Sequence, residues 1–377
     1  MKRNLLISIS LSAAILLVYS CLDPYNPPAT RTDVHYLVVG GFFNSNGLTQ
    51  IKLSRTSPIH ESTVTPEIGA TVQIEGDDGT IFTLAGDNLG TYSLSAVVID
   101  TSRRFRLTIK TSGQKEYASV FVPVKQAPDL DTLRYTLDGE DLQLYISTHD
   151  DHNNTHYYLW KFAETWAYRS YSPSEWIFDN GIVTLRPSPN ELYYCWSTIH
   201  SSQILIGSSA KLAQDIIHDY PIQLLNVHSE KLQMKYSILV EQFALTSEAH
   251  EYWEQLKKST EAVGSIFDPQ PSQSPSNIHG ITNTEEPVVG YFNAGSVRQR
   301  RIFIRYADLP PVRSITGYES CEPDTLWIAN VPDFRGTELL TTGIFEMNTL
   351  LGYQMLRPYC VDCRLKGGTT TMPDFWE

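Results

Sequence analysis

The sequence predicts a mainly β chain: an N-terminal immunoglobulin-like sandwich, then a larger β-rich domain with two helical insertions and a disulfide-stapled C-terminal tail. Three observations carry this reading. Short runs alternate apolar and polar residues, as Phe105, Leu107 and Ile109 do against Arg104, Arg106 and Thr108, the period of a half-buried strand. The chain holds 21 Tyr and 7 Trp, punctuated at short intervals by Gly, Pro, Ser and Thr, a texture of exported β proteins. Beyond Cys21 stand Cys195, Cys321, Cys360 and Cys363, an even set that reads as two disulfides in an oxidising compartment.

Residues 1–20 read as a secretory signal. Lys2 and Arg3 open it, Leu5 to Val18 is apolar and uncharged, and the run is too short and too early for a spanning helix. Ser20 directly before Cys21 is what lipoprotein signal peptidase needs, so Cys21 becomes the lipidated, palmitate-bearing first residue and anchors the chain to a membrane. The rival reading is an ordinary signal peptide with an incidental Cys21. Residues 21–33, with Asp23-Pro24 and Pro27-Pro28, form an extended tether.

The sandwich is expected over residues 34–126, from strands at Tyr36–Phe43, Gln50–Ser54, Thr71–Glu75, Ile81–Leu84, Thr91–Leu94, Phe105–Ile109 and Ser119–Val122. Asp78-Gly79 supplies a tight hairpin turn between the third and fourth. Pro123 and Pro128 bracket a boundary near residue 126. The second domain, 127–309, alternates at Leu142/Leu144/Ile146, Tyr158/Trp160/Phe162 and Tyr236/Ile238/Val240. Its two helices are expected near 208–218, capped by Ser208 or Ser209 and ending before Pro221, and near 246–263, capped by Thr246 or Ser247. Residues 265–286, rich in Pro, read as a long loop. Strands resume at Val288–Phe292 and Ile302–Tyr306, and 310–377 is a Cys-containing tail packed on the second domain.

The formal charge of −13 falls to about −15 once Lys2 and Arg3 leave with an acid-free signal. With no long Lys/Arg cluster, such a chain is unsuited to gripping phosphate backbones, which excludes nucleic acid as a partner. Four cysteines allow three disulfide connectivities. A four-thiolate zinc site is the rival, but only one CxxC pair, Cys360/Cys363, is present, and its Pro/Gly-rich setting reads as structural rather than redox-active.

The stretch from His149 to His156 gathers three imidazoles and two carboxylates, making His149, Asp151 and His152 weak metal candidates. It joins two expected strands, where Asp, Asn and His serve turns, so no metal or other cofactor is assigned. His250-Glu251 imitates the start of a zinc-protease helix, but the fifth position is Glu254, and the signature fails. Trp166, Tyr168 and Tyr171, in an expected loop from Thr165 to Ser174, offer a platform for a sugar ring or a protein partner; packing in the core is the competing use of the same rings. Neither a nucleophile elbow nor a nucleotide loop occurs, so no catalytic set is named. Paired carboxylates for glycoside hydrolysis stay open among 42 acids.

The lipobox Cys21, Leu37-Val38-Val39-Gly40-Gly41, Gly90-Thr91-Tyr92, the run Tyr236 to Gln242, Phe267-Asp268, Gly290-Tyr291-Phe292, Cys360-Val361-Asp362-Cys363-Arg364, Gly367-Gly368 and Pro373-Asp374-Phe375-Trp376 together resemble one family. It is the Bacteroidota outer-membrane lipoprotein family catalogued as domain of unknown function 4249. The resemblance implies an outer-membrane lipoprotein, often encoded beside a TonB-dependent transporter, with no catalytic residues attached. The single acid Asp23 after Cys21 assigns neither face of that membrane. The expected function is therefore a non-catalytic binding or accessory subunit working with such a transporter and taking a glycan or peptide ligand. The alternatives are an envelope glycan hydrolase and a structural or adhesive lipoprotein.

Overall fold

Strand Leu37–Asn44 turns Leu37, Val39 and Phe43 inward, and the alternation legible in the sequence repeats through the first body. The computed structural model describes residues 35–57, 63–261 and 276–376, so the signal, Cys21 and the tether lie outside the described residues. The chain is mainly β and carries two disulfides.

In the first body, Leu37–Asn44 pairs antiparallel with Thr49–Arg55, which pairs in turn with Thr91–Leu94. Arg104–Lys110 pairs with Thr71–Gly76 on one edge and with Glu116–Ser119 and Val122–Lys125 on the other. The expected seventh strand over Ser119–Val122 is split into these last two. Gly79, at φ 87°, makes the expected turn, and the Asp78 carboxylate accepts the Thr80 N–H at 2.9 Å.

The largest departure from expectation is that residues assigned to the second domain complete the first. Ile278–Gly280 extends the sheet beside Glu116–Ser119, Val288–Gly290 runs parallel to Leu37–Val39, and Ala294–Gly295 lies parallel to both Asn44 and Lys125, bridging the two sheet segments. Their side chains Ile278, Val288, Phe292 and Ala294 enter the same core as Ile51, Leu107 and Tyr117. Parallel pairs of this kind are absent from the consecutive seven-strand arrangement the sequence predicts. Gly290 sits at φ 133°, where an added Cβ would stand 2.1 Å from the Val39 carbonyl oxygen, so the parallel approach requires glycine.

The second body packs a three-stranded sheet (Leu130–Asp138, Asp141–His149, Ile216–Asn226) against a five-stranded one (Tyr194–His200, Tyr157–Arg169, Lys235–Ala244, Val297–Arg305, with Leu205–Ser208). Their inner faces share one core around Trp160, Leu144 and Ile238. Gln242, fully buried, ties the layers together. It accepts from Trp160 Nε1 at 2.8 Å and donates to the Pro128 carbonyl (2.8 Å) and Thr148 Oγ1 (3.0 Å). Removing such a hub would strand the buried Trp160 N–H at about 1–3 kcal/mol.

The helix expected at 246–263 spans Ser247–Glu261 within the described residues, and Thr246 Oγ1 accepts the Ala249 N–H as its cap. The helix expected at 208–218 does not form. Ser209 turns its hydroxyl inward to the buried Asp215 carboxylate, and the β-branched and aromatic run from Ile216 continues as an edge strand that tolerates Pro221. Within the stretch expected as a loop at 265–286, the described part supplies the strand Ile278–Gly280.

The tail folds as a three-stranded sheet (Asp324–Trp327, Leu339–Glu346, Thr349–Leu356), against which the hairpin Trp176–Asp179/Ile182–Leu185 packs through Trp176 and Phe178. Cys321 pairs with Cys360 inside the tail, while Cys195 pairs with Cys363 and fastens the tail to the five-stranded sheet.

Candidate functional site

The platform expected at Trp166, Tyr168 and Tyr171 does not assemble. The strand Tyr157–Arg169 runs on through the expected loop, so Trp166 and Tyr168 take the inward positions after Trp160 and Phe162. Tyr168 is 1% exposed, packs on the Cys195–Cys363 bridge, and donates its hydroxyl to the Cys363 carbonyl at 2.9 Å. Burial pushes that hydroxyl's pKa up to about 12. Trp166 is half-buried under the Lys231 ammonium, and Tyr171 alone stays exposed. The inward series contains one acid, Glu164, satisfied by the Tyr236 hydroxyl (2.8 Å) and Lys231 Nζ (2.7 Å).

Of the metal candidates, His149 ends the strand Asp141–His149, and Asp151 and His152 lie in the turn that follows. Asp150 accepts the backbone N–H groups of His152, Asn154 and Thr155, and among the described residues no cluster of three or more His, Cys, Asp or Glu is arranged to hold a metal. His149 sits between two carboxylates: its Nδ1 stands 2.7 Å from Asp131 Oδ2, and its Nε2 3.3 Å from Asp151 Oδ1. Hydrogen bonding and attraction by Asp131 raise its pKa above the ordinary 6.5. The pair therefore stabilises the fold fully below the unfolded histidine value, and the contribution vanishes as pH rises through the raised folded one. An NMR titration should place the His149 midpoint above 6.5, and Asp131→Asn should bring it back down. A midpoint unmoved by that change would assign the shift elsewhere. His250, on the helix, has its pKa lowered by burial, and its ring lies 5.0 Å from that of Tyr157 at a tilt of 45°.

What the fold does assemble is a cleft of about 1030 Å³ where the five-stranded sheet meets the tail. That volume lies at the upper end of ligand-binding cavities. The sheet contributes Arg169, Tyr194 and Trp196 from neighbouring strands, with Tyr171 just beyond the strand end. Lys235, Arg305 and Tyr306 come from the next two strands and the turn after them. The far wall is the tail segment carrying Arg313, Tyr318 and Glu319.

That wall is held at several points. The Ile315 N–H donates to the His228 carbonyl (2.7 Å), and Lys366 Nζ donates to the Thr316 carbonyl (2.6 Å) while pairing with Glu230. Cys321, behind Tyr318, is locked to Cys360. Near the C-terminus, Trp376 packs edge-on to Phe303 and lies 5.4 Å from the Lys235 ammonium, closing one end. A cleft fixed in this way loses little freedom on binding.

Two polar atoms on this surface have no partner among the described residues, Trp196 Nε1 and the Tyr318 hydroxyl. Burial, helped by Glu230, raises the pKa of that hydroxyl. The cleft's carboxylate, Glu319, accepts the N–H groups of Thr316 (2.8 Å) and Gly317 (3.2 Å), and backbone hydrogen bonds lower its pKa. Among the described residues it is the single carboxylate lining the cleft.

The fold and cleft define a β-rich protein with a preformed, aromatic-lined cleft. The family model described as Domain of unknown function (DUF4249) matches residues 22–301, and the chain belongs to that family. No curated protein matches it. Among solved structures, a pullulanase from Anoxybacillus sp. LM18-11, crystallised with maltotriose, overlays 55% of this chain and 24% of its own at 7% identity and a TM-score of 0.15, so the match spans about a quarter of that enzyme. A "putative carbohydrate binding protein" from Bacteroides uniformis overlays 56% of this chain and 90% of its own at 11% identity and a TM-score of 0.16. Overlays this weak carry no argument about the fold or the ligand.

Proposed function

We propose that this chain is a non-catalytic binding protein of the cell envelope, anchored through lipidated Cys21, that captures a ligand in the cleft between its five-stranded sheet and its tail. The observation that carries the reading is a pocket of ligand size, fixed by cross-links and lined by aromatic and cationic side chains. Anchoring rests on the sequence: the basic start, the apolar Leu5 to Val18 run and Ser20 before Cys21. Service to a TonB-dependent transporter at the outer membrane rests on the family resemblance, and holding the ligand at the membrane would raise its effective concentration there. Hydrolysis by two carboxylates is disfavoured at this cleft, since among the described residues Glu319 is the one carboxylate that lines it.

The test is a pull-down of the lipidated chain, solubilised in detergent from its own membranes, with mass spectrometry of what accompanies it. Stoichiometric recovery of a TonB-dependent barrel supports the accessory role. Recovery of the chain alone turns the reading into an independent binder. Full membrane retention of a Cys21→Ser chain would overturn the anchor.

A further inference from the structure

Resting on that reading of the cleft, we infer that its ligand is anionic and rich in hydrogen-bond acceptors, an acidic oligosaccharide rather than a neutral one. The cleft is lined by four cationic side chains, Arg169, Lys235, Arg305 and Arg313, against one carboxylate, in a chain whose formal charge is −13. Cations concentrated in one concavity of an acidic protein focus a local positive field. Arg305 is committed to Asp308 at 3.1 Å. Among the described residues no carboxylate stands within 4.0 Å of the guanidinium of Arg169 or Arg313.

One unpartnered group has the same bias. An indole N–H only donates, as a guanidinium does, while a phenol both donates and accepts. Trp196 Nε1 is therefore a buried donor without an acceptor among the described residues, and the hydroxyl of Tyr318, itself 3% exposed, is buried there without a partner of either kind. Buried donors are costly until something accepts from them, and the one carboxylate at hand is already bonded to backbone N–H groups. A ligand suited to this lining brings negative charge for the guanidinium groups of Arg169 and Arg313 and oxygen acceptors beside it. Sugar acids do so while offering ring faces that lie flat on Tyr194 and Trp196, and arginine forks match carboxylate or sulfate geometry.

The test is a titration of the full lipidated chain in detergent, read by tryptophan fluorescence and calorimetry. The probes are trigalacturonate, a chondroitin sulfate tetrasaccharide and sialyllactose, each beside its uncharged parent sugar, with triglutamate as an acidic non-sugar. The expected result is binding of at least one acidic sugar tenfold or more tighter than its parent, weakening as salt rises. Arg169→Ala with Arg313→Ala should reduce that affinity at least tenfold with an unchanged circular dichroism spectrum. Trp196→Phe, which keeps the ring and removes the N–H, should reduce it less. Equal or better binding of the neutral parents overturns the anionic inference while leaving the cleft as a binding site. Binding of triglutamate alone overturns the saccharide assignment in favour of an acidic peptide. Silence from every acidic probe overturns the inference outright, whereas the envelope-binder reading is decided separately by the pull-down.

Discussion

Serine at both Cys195 and Cys363 should lower the unfolding free energy by roughly 3–5 kcal/mol. The bridge joins residues 168 apart in sequence, a far longer loop than the 39 closed by Cys321–Cys360, so it removes more freedom from the unfolded chain. It also sits where the native state depends on it. Trp196 and Thr369 exchange backbone hydrogen bonds at 2.8 and 2.9 Å beside it, and the Tyr168 hydroxyl reaches the Cys363 carbonyl. Equilibrium denaturation of the double-serine chain against the oxidised parent measures the effect. A loss below about 1 kcal/mol would mean that the sheet–tail contacts hold without the cross-link, and that the bridge is a minor term.

An all-or-none effect is expected for the first body in isolation. A fragment of residues 35–126 should stay unfolded, giving collapsed amide dispersion in its NMR spectrum. It lacks Ile278, Val288 and Phe292, each 6% exposed or less in the shared core, and exposes the sheet edges they cover. At about 1.5–3 kcal/mol per buried apolar side chain, the loss is comparable to the whole stability of a small domain. Adding residues 276–296 in trans or by fusion should restore dispersion. A well-dispersed spectrum from 35–126 alone would show that the returning strands are an ornament on an independent fold.

These two effects mark where local reading of the sequence stops. Phe105, Leu107 and Ile109 are legible because one face is dry and the other wet, and the side chain period reports that directly. The helix from Ser247 is legible because its cap, its early acid and its length agree. Trp166 and Tyr168 were hidden by Glu164: an acid at an inward position broke the apolar series, and only Tyr236 and Lys231, some 70 residues on, make it tolerable there. The pairing of Ser208 and Ser209 with an apolar run imitates a helix start, yet Ile216 and Ile217 are β-branched and favour the strand that forms. The cleft was illegible for a different reason. Tyr194, Trp196, Tyr306, Tyr318 and Trp376 come from segments separated by up to about 180 residues, and a cross-link among three allowed pairings brings them together. The one local trace is the aromatic cluster Tyr193-Tyr194-Cys195-Trp196.

The strands that return from beyond the helix also set a timetable. Lys125 leaves the ribosome long before Gly295, which lies between the ends of Leu37–Asn44 and Val122–Lys125. At about 5–20 residues per second, the opening hundred residues wait about 10–30 seconds for the piece that closes them. During that interval they remain threadable and open to chaperones, while Asp141–His149 and the strands after it can already find one another. For this chain the last part of the first body to be made is the part that lets it fold, so the N-terminal body cannot close until most of the second has also been made.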